Sequence, residues 1–168
     1  VEESNFFESS FLAKEGFIRR ENFTAMYGMV GLAECVNILM EKEGKHERFG
    51  HSAEADRLGV EIMNQIDAFN RAHVNAYCEA TGGHFLLHAQ VGIDSDHGTS
   101  PGTRIPIGEE PDELIDHLKN ISLFHKYFPS GTGDIFPVDV TVHRNPQYVL
   151  DIVHGAMRMN IRYLSFYA

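Results

Sequence analysis

Apolar residues recur along this chain at helical spacing in some stretches and in short unbroken runs in others, and each pattern predicts an element. From Ala53 to Ala80 the positions Ala55, Leu58, Ile62, Ile66, Phe69, His73, Tyr77 and Ala80 step by three or four, which predicts one long helix with a single buried stripe. Ser52 stands ahead of it as an N-cap, Glu54 and Asp56 suit its dipole, and Gly82-Gly83 stops it. An earlier helix is predicted over Phe23 to Lys42, with Leu32, Val36, Leu39 and Met40 on its core side. A later one opens at Pro111, in a first helical position, runs through Leu114, Ile115, Leu118, Ile121 and Phe128, and ends at Pro129 and Gly131.

A short apolar run bounded by glycines predicts a strand at His84 to Val91, and further strands are predicted at Ile135 to Val142 and Ile161 to Tyr167. Between the last two, Asn145-Pro146 reads as a cap and first helical residue, followed by an amphipathic helix through Val149, Ile152, Val153, Ala156 and Met157. That is a β-α-β unit, whose strands should be parallel. With the earlier strand it makes the class α/β, a single segment over 1–168 with no internal boundary. Residues 1–23 follow no clean period, and Gly92 to Glu110 is a long irregular stretch of the kind that tends to be functional.

The predicted first helix contains an unusual stretch, TAMYGMVGLAECVNILM, from Thr24 to Met40. Glycine in a helix interior costs roughly 1 kcal/mol against alanine, so Gly28 and Gly31 need a reason. On a helix, Gly28, Gly31 and Cys35 share a stripe with Glu34 on its flank. Tight packing around a structural thiol explains this as well as chemistry does.

Composition narrows the partners. A net charge of −10 with no basic run argues against nucleic acid and against an anionic membrane surface. No apolar run of transmembrane length occurs, and Cys35 and Cys78 make neither a disulfide framework nor a zinc signature, which points to a cytoplasmic home. Val1 in place of an initiator methionine, and an apolar run up to Tyr167, lead to the expectation of a piece cut from a longer protein.

In parallel α/β architectures ligands gather at the carboxyl ends of strands. Here those ends carry His88 and Gln90, then Asp94, Asp96, His97 and Thr99, and later His143, Arg144 and Asn145. This rim suits a polar small molecule, although a solvated loop would look the same. A protein-bound metal is not expected: His84 and His88 lie roughly 13 Å apart on a strand, and no HExxH or CxxC occurs. Two glycine-rich runs, Gly98 to Arg104 and Ser130 to Asp134, are weak phosphate cradles without a Walker lysine, and no GxSxG elbow supports a hydrolase. A hydrogen-atom shuttle, by contrast, needs only a neutral thiol in a dry pocket.

Tyr27, Gly28, Gly31, Leu32 and Glu34 match a Y-G-x-x-G-L-x-E pattern, and here the chain resembles glycyl radical enzymes near the anaerobic ribonucleotide reductases. The runs GHFLLHAQVGIDSDHGTSPGTRIPIG and GTGDIFPVDVTVHRNPQYVLDIVHGAMRMNIRYLSFYA extend the likeness over almost the whole chain, to the YjjI family of glycyl radical enzymes. The resemblance implies a segment of a ten-stranded α/β barrel from the C-terminal half of such an enzyme. It implies anaerobic thiyl-radical chemistry on a small molecule. The cofactor would be a glycyl radical on a glycine outside this chain, installed by a radical-SAM activating enzyme as partner. A homodimer of the full-length protein is compatible with it.

Some family features are missing. No RxxGY-like glycyl motif and no four-cysteine zinc ribbon occur, and the reductases' thiyl cysteine usually lies upstream of the Y-G-x-x-G-L-x-E block. The segment alone should therefore be inactive. Within it Glu34 is expected to be an acid/base or hydrogen-bonding group, Cys35 a second thiol or relay, and His88, Gln90, His97 and His143 substrate contacts. The alternative is a non-catalytic α/β module that binds a ligand or partner through the 92–110 loop.

Overall fold

The computed structural model describes residues 3–76, 78–89 and 98–167. The elements in order are α1 (Phe6–Ser9), α2 (Phe11–Lys14), β1 (Met26–Met29), α3 (Leu32–Lys42), α4 (Ala53–Ala72), β2 (Leu86–Ala89), α5 (Leu114–Ser122), β3 (Ile135–Pro137), α6 (Pro146–Arg158) and β4 (Ser165–Tyr167). β1 pairs with β2 and β3 with β4, giving two two-stranded sheets in a mixed α/β fold. No closed barrel forms among the described residues. The chain divides into two compact units, Val1–Tyr27 with Ala68–Leu86, and Gly28–Asp67 with Leu87–Ala168.

The first unit is built on aromatic contacts. The rings of Phe6, Phe7 and Phe23 lie 5.3 to 5.9 Å apart, and the Arg20 guanidinium sits 4.7 Å above Phe7. Cys78 is fully buried and its Sγ accepts the Ala25 N–H at 3.5 Å, so this thiol packs. The helix expected to reach Ala80 ends at Ala72. Past that point the Asn75 N–H donates to the Gly83 carbonyl at 2.6 Å and the Gly83 N–H to the Cys78 carbonyl at 2.8 Å. These bonds fold the chain back where another helical turn was expected; Tyr77 lies outside the described residues.

The second unit carries two apolar clusters. In the larger, Leu32, Ala33, Val36 and Met40 of α3 pack with Phe49, Ala55, Met63, Leu87, Ala89, Ile105, Phe124, Tyr127 and Phe128. In the smaller, Leu118 and Ile121 of α5, Phe136 of β3, Ile152 and Ala156 of α6, and Ile161 come together. Ser52 does cap α4, its Oγ accepting the N–H groups of Glu54 and Ala55 at 3.2 and 3.5 Å.

The helix expected over Phe23 to Lys42 is corrected: it starts at Leu32, and Gly28 belongs to β1. Gly31 adopts φ 78° and ψ 24°, the left-handed region that glycine enters without the Cβ penalty, and this breaks strand from helix. The two glycines therefore do not weaken a helix interior. Pro111 also precedes its helix, which begins at Leu114 after Glu113.

The β-α-β unit is present, with β3 and β4 parallel in the register Ile135↔Ser165, Phe136↔Phe166 and Pro137↔Tyr167. Its strands are shorter than expected. Val140 to Val142, expected to end the first strand of the unit, lie instead in the 3₁₀ turn Val140–Arg144. The Val142 N–H closes on Asp139 and the Asn145 N–H on Val142, each at 3.0 Å. After α6 the Ile161 N–H returns to Ala156 at 3.1 Å, and Asn160 takes φ 62°, so a left-handed cap uses the residues expected to begin β4.

Candidate functional site

Glu34 sits in the first turn of α3, where an acid complements the helix dipole, and its carboxylate reaches across to a distant segment. Oε1 accepts the Ser100 backbone N–H at 2.6 Å and the Ser100 hydroxyl as well. The Ser100 carbonyl in turn accepts the Gly31 N–H at 2.7 Å, Val30 bridges Pro101 antiparallel, and the Gly102 N–H donates to Met29 at 2.8 Å. Residues 100–102 are thus laid along the end of β1 as an extra piece of strand. Ser100 is fully buried, and residues 100–105 are buried throughout.

Gly102 serves this arrangement by the space it leaves and Gly31 by its left-handed backbone. A Cβ on Gly102, at φ 58°, would come within 2.8 Å of the Ala89 Cβ and 3.1 Å of its Cα. At Gly31 the missing side chain leaves a notch bordered by the Thr99 methyl at 3.5 Å and Glu34 Oε2 at 3.8 Å from the Cβ position. Oε2 is buried and has no hydrogen-bond partner among the described residues. With Oε1 already holding two donors, Oε2 is the oxygen of Glu34 with capacity left to take a proton or a hydrogen bond.

The other expected residues are not gathered around this carboxylate. Cys35 is exposed, and successive helical residues diverge by about 100°, so thiol and carboxylate face different sectors. His88 lies in β2 and is half-buried on the face opposite Leu87 and Ala89. No hydrogen bond or ion pair joins His88 to Glu34 among the described residues. His143 falls in the Val140–Arg144 turn rather than at a strand end. Gln90 and His97, with Asp94 and Asp96, lie outside the described residues. At the carboxyl end of β3, a cleft of about 320 Å³ is lined by Leu114, Pro137, Val138, Asp139, Val142, Asn145 and Tyr148. That is the position where α/β sheets collect ligands. Among the described residues no three His, Cys, Asp or Glu side chains could hold a metal ion.

A buried polar cluster escaped the sequence reading. His117 Nε2 lies 3.0 Å from Asp134 Oδ1, with both side chains at 2 % exposure or less. Asp134 Oδ1 also accepts the Ile135 N–H at 2.7 Å, and Thr103 and Thr132 share a buried hydroxyl hydrogen bond of 2.6 Å. Burial pushes the Asp134 carboxyl above the ordinary aspartate range, against the pull of His117 and Arg104. The readable signal was His117 itself, which falls on the stripe Leu114, His117, Leu118, Ile121 and so on the buried side of α5. Nearby, His125 Nδ1 accepts the Arg162 N–H at 3.1 Å, and burial together with the Arg162 charge pushes the His125 pKa down to about 4.

Comparison with known proteins adds what the geometry leaves open. Residues 1–168 match the family described as "Glycyl radical enzyme YjjI-like". The chain is 49 % identical over 170 residues to an uncharacterized protein of Haemophilus influenzae (strain ATCC 51907 / DSM 11121 / KW20 / Rd), covering 99 % of this chain and 33 % of that one. It is 45 % identical over 161 residues to the uncharacterized protein YjjI of Escherichia coli (strain K12), covering 96 % of this chain and 31 % of that one. The chain therefore spans about a third of the length of these relatives.

Proposed function

This chain belongs to the YjjI-like family of glycyl radical enzymes, and on that premise we propose that it is a segment of an enzyme performing anaerobic thiyl-radical-initiated chemistry on a small molecule. The observation that carries the reading is the family match along the entire chain. When present, the glycyl radical supplies a stored unpaired electron that can be passed to a cysteine thiol by hydrogen-atom transfer. It resides on a glycine outside these 168 residues, installed by a radical-SAM activating enzyme, so no residue here is assigned to carry it.

In this reading the short parallel β3–β4 pair is part of a ten-stranded barrel. A two-stranded sheet is marginal alone, and parallel strands are normally buried on both faces, which supports further strands alongside it. Glu34 is the acid/base or hydrogen-bonding group, acting through Oε2, and the cleft after β3 is a second place for substrate contact. Cys35 is a relay thiol at most, since its exposure and direction separate it from Glu34. The burial of residues 100–105 weighs against a loop displayed for partner binding. No described helix is long and apolar enough to cross a membrane, in keeping with action in the cytoplasm.

The test is the electron paramagnetic resonance spectrum of the full-length protein after anaerobic activation. A persistent glycyl doublet is expected, and its absence after verified activase turnover would overturn the reading. Glu34→Gln should retain the doublet but stop its decay on addition of whichever metabolite quenches it in the wild type. Unchanged decay would remove Glu34 from the chemistry.

A further inference from the structure

Helix α6 is apolar around more of its circumference than the core beneath it covers. Ile152 and Ala156 are buried against Phe136, Leu118, Ile121 and Ile161. Gln147, Asp151, His154 and Arg158, at spacings of four, three and four, form the wet stripe, with the Gln147 amide donating to Asp151 at 2.8 Å. Between them, Leu150 is 60 % and Met157 65 % exposed, with half-buried Val153 in the same line. At 100° per residue this line is centred roughly 100° from the buried pair, joins it through half-buried Val149, and does not overlap the polar stripe. A helix that settles with one face on a core keeps a single apolar stripe and is polar elsewhere. An apolar arc of about half the circumference, covered on one side by the described core and exposed on the other, fits a helix held between two neighbours.

We infer that Leu150, Val153 and Met157 form a docking surface for another helix, supplied by the part of the full-length chain that these 168 residues do not include. The inference rests on the reading above, that the protein has the length of its relatives. Those relatives are about three times as long as this chain, so roughly two thirds of such a protein lies outside it. The spacing specifies the partner's form: residues three and then four apart make the ridge that seats in a groove of a neighbouring helix, whereas a strand would meet alternate residues. In a sheet covered by crossover helices, the next helix of the layer lies beside α6 on this flank.

Hydroxyl-radical footprinting of the wild-type, full-length protein tests this, because methionine sulfur oxidises readily when solvent reaches it. Met157 should be oxidised at least about tenfold more slowly in the native protein than in the same protein unfolded in urea. The same protection should hold for maleimide labelling of Met157→Cys, and neither should change on dilution. Oxidation of native Met157 within about twofold of the unfolded rate would overturn the proposal. Protection that disappears as the protein is diluted would overturn it in favour of a second copy. The intact mass of the purified gene product separates the two readings. A product of about this chain's own mass removes the longer protein and the docking helix together. A product of the relatives' length leaves the footprint to decide the helix alone.

Discussion

The clasp around Glu34 and the β3–α6–β4 unit lie in the same compact unit and are held by opposite means. In the clasp, two backbone segments are joined by directed polar contacts: Ser100 gives two donors to one carboxylate oxygen and receives the Gly31 N–H, while Gly102 leaves room for Ala89 and Gly31 supplies the left-handed turn. In the β-α-β unit, Phe136, Ile152, Ala156 and Ile161 exclude water by apolar packing, with the buried His117–Asp134 pair at its edge, where Asp134 accepts the Ile135 N–H. Apolar packing is tolerant of small shifts; a charged oxygen with two donors fixes position to a few tenths of an ångström. The region whose geometry is pinned is the one that carries the candidate functional carboxylate.

The largest effect expected from breaking this contrast lies on the apolar side. Phe136 is fully buried between the His117 ring at 4.5 Å and the Phe166 ring at 6.1 Å. Phe136→Ala should destabilise the chain by about 3–5 kcal/mol in urea unfolding. A loss under about 1 kcal/mol would mean that apolar packing is not what holds β3 in place.

His125, at the entry to the same unit, makes the next difference, and its sign follows from linkage. Its pKa falls from 6.5 to about 4 on folding, so between those values the unfolded chain binds a proton that the native chain refuses. Its contribution is complete above pH 6.5 and is lost as the pH falls towards about 4, with a slope of at most about 1.4 kcal/mol per unit. Asp56 and Asp134, raised by burial, act the other way: they gain stability as the pH falls through their own elevated range. The quantity to measure is therefore the difference between wild type and His125→Gln. The wild type should lose stability more steeply below pH 6.5, and parallel curves would remove His125 from the account.

These two regions also differ in how far sequence reveals them. The β-α-β unit is local: the helical stripe of Ile152 and Ala156, the cap at Asn145 and the apolar run after it lie within about 30 consecutive residues, so the parallel pair could be anticipated. Its strand ends could not, since Val140 and Val142 favour a strand by their side chains and the backbone closes a 3₁₀ turn instead. The clasp is non-local. Glu34 stood out as an acid in an apolar segment, but its partner lies 66 positions away, and the left-handed backbone of Gly31 is invisible beside helix-forming neighbours. His117 and Asp134 escaped for the same reason: His117 stands on the buried stripe of α5, but its partner lies in a different segment.

On the polar side the expected effects are smaller. Glu34→Ala leaves both Ser100 donors in a site closed to water, and an unsatisfied buried donor costs about 1–3 kcal/mol. Urea unfolding measures the loss. A neutral outcome would mean that water or another group satisfies Ser100 as well as the carboxylate does, and the clasp would then be a consequence of the fold rather than a cause.

Ser100→Ala should cost least, about 1 kcal/mol, because it deletes the hydroxyl donor while the backbone donor to Oε1 survives. Its value lies in the double mutant. If the hydroxyl stabilises the fold only through Glu34, then in a Glu34→Ala background the same substitution removes a donor that already has no acceptor. It should then be neutral or slightly stabilising. The coupling between the two positions should approach the whole single-mutant effect, well above the ~0.5 kcal/mol within which independent sites add. Additive losses would instead make Ser100 a packing residue, and the pinned side of the molecule would be held by the same means as the other.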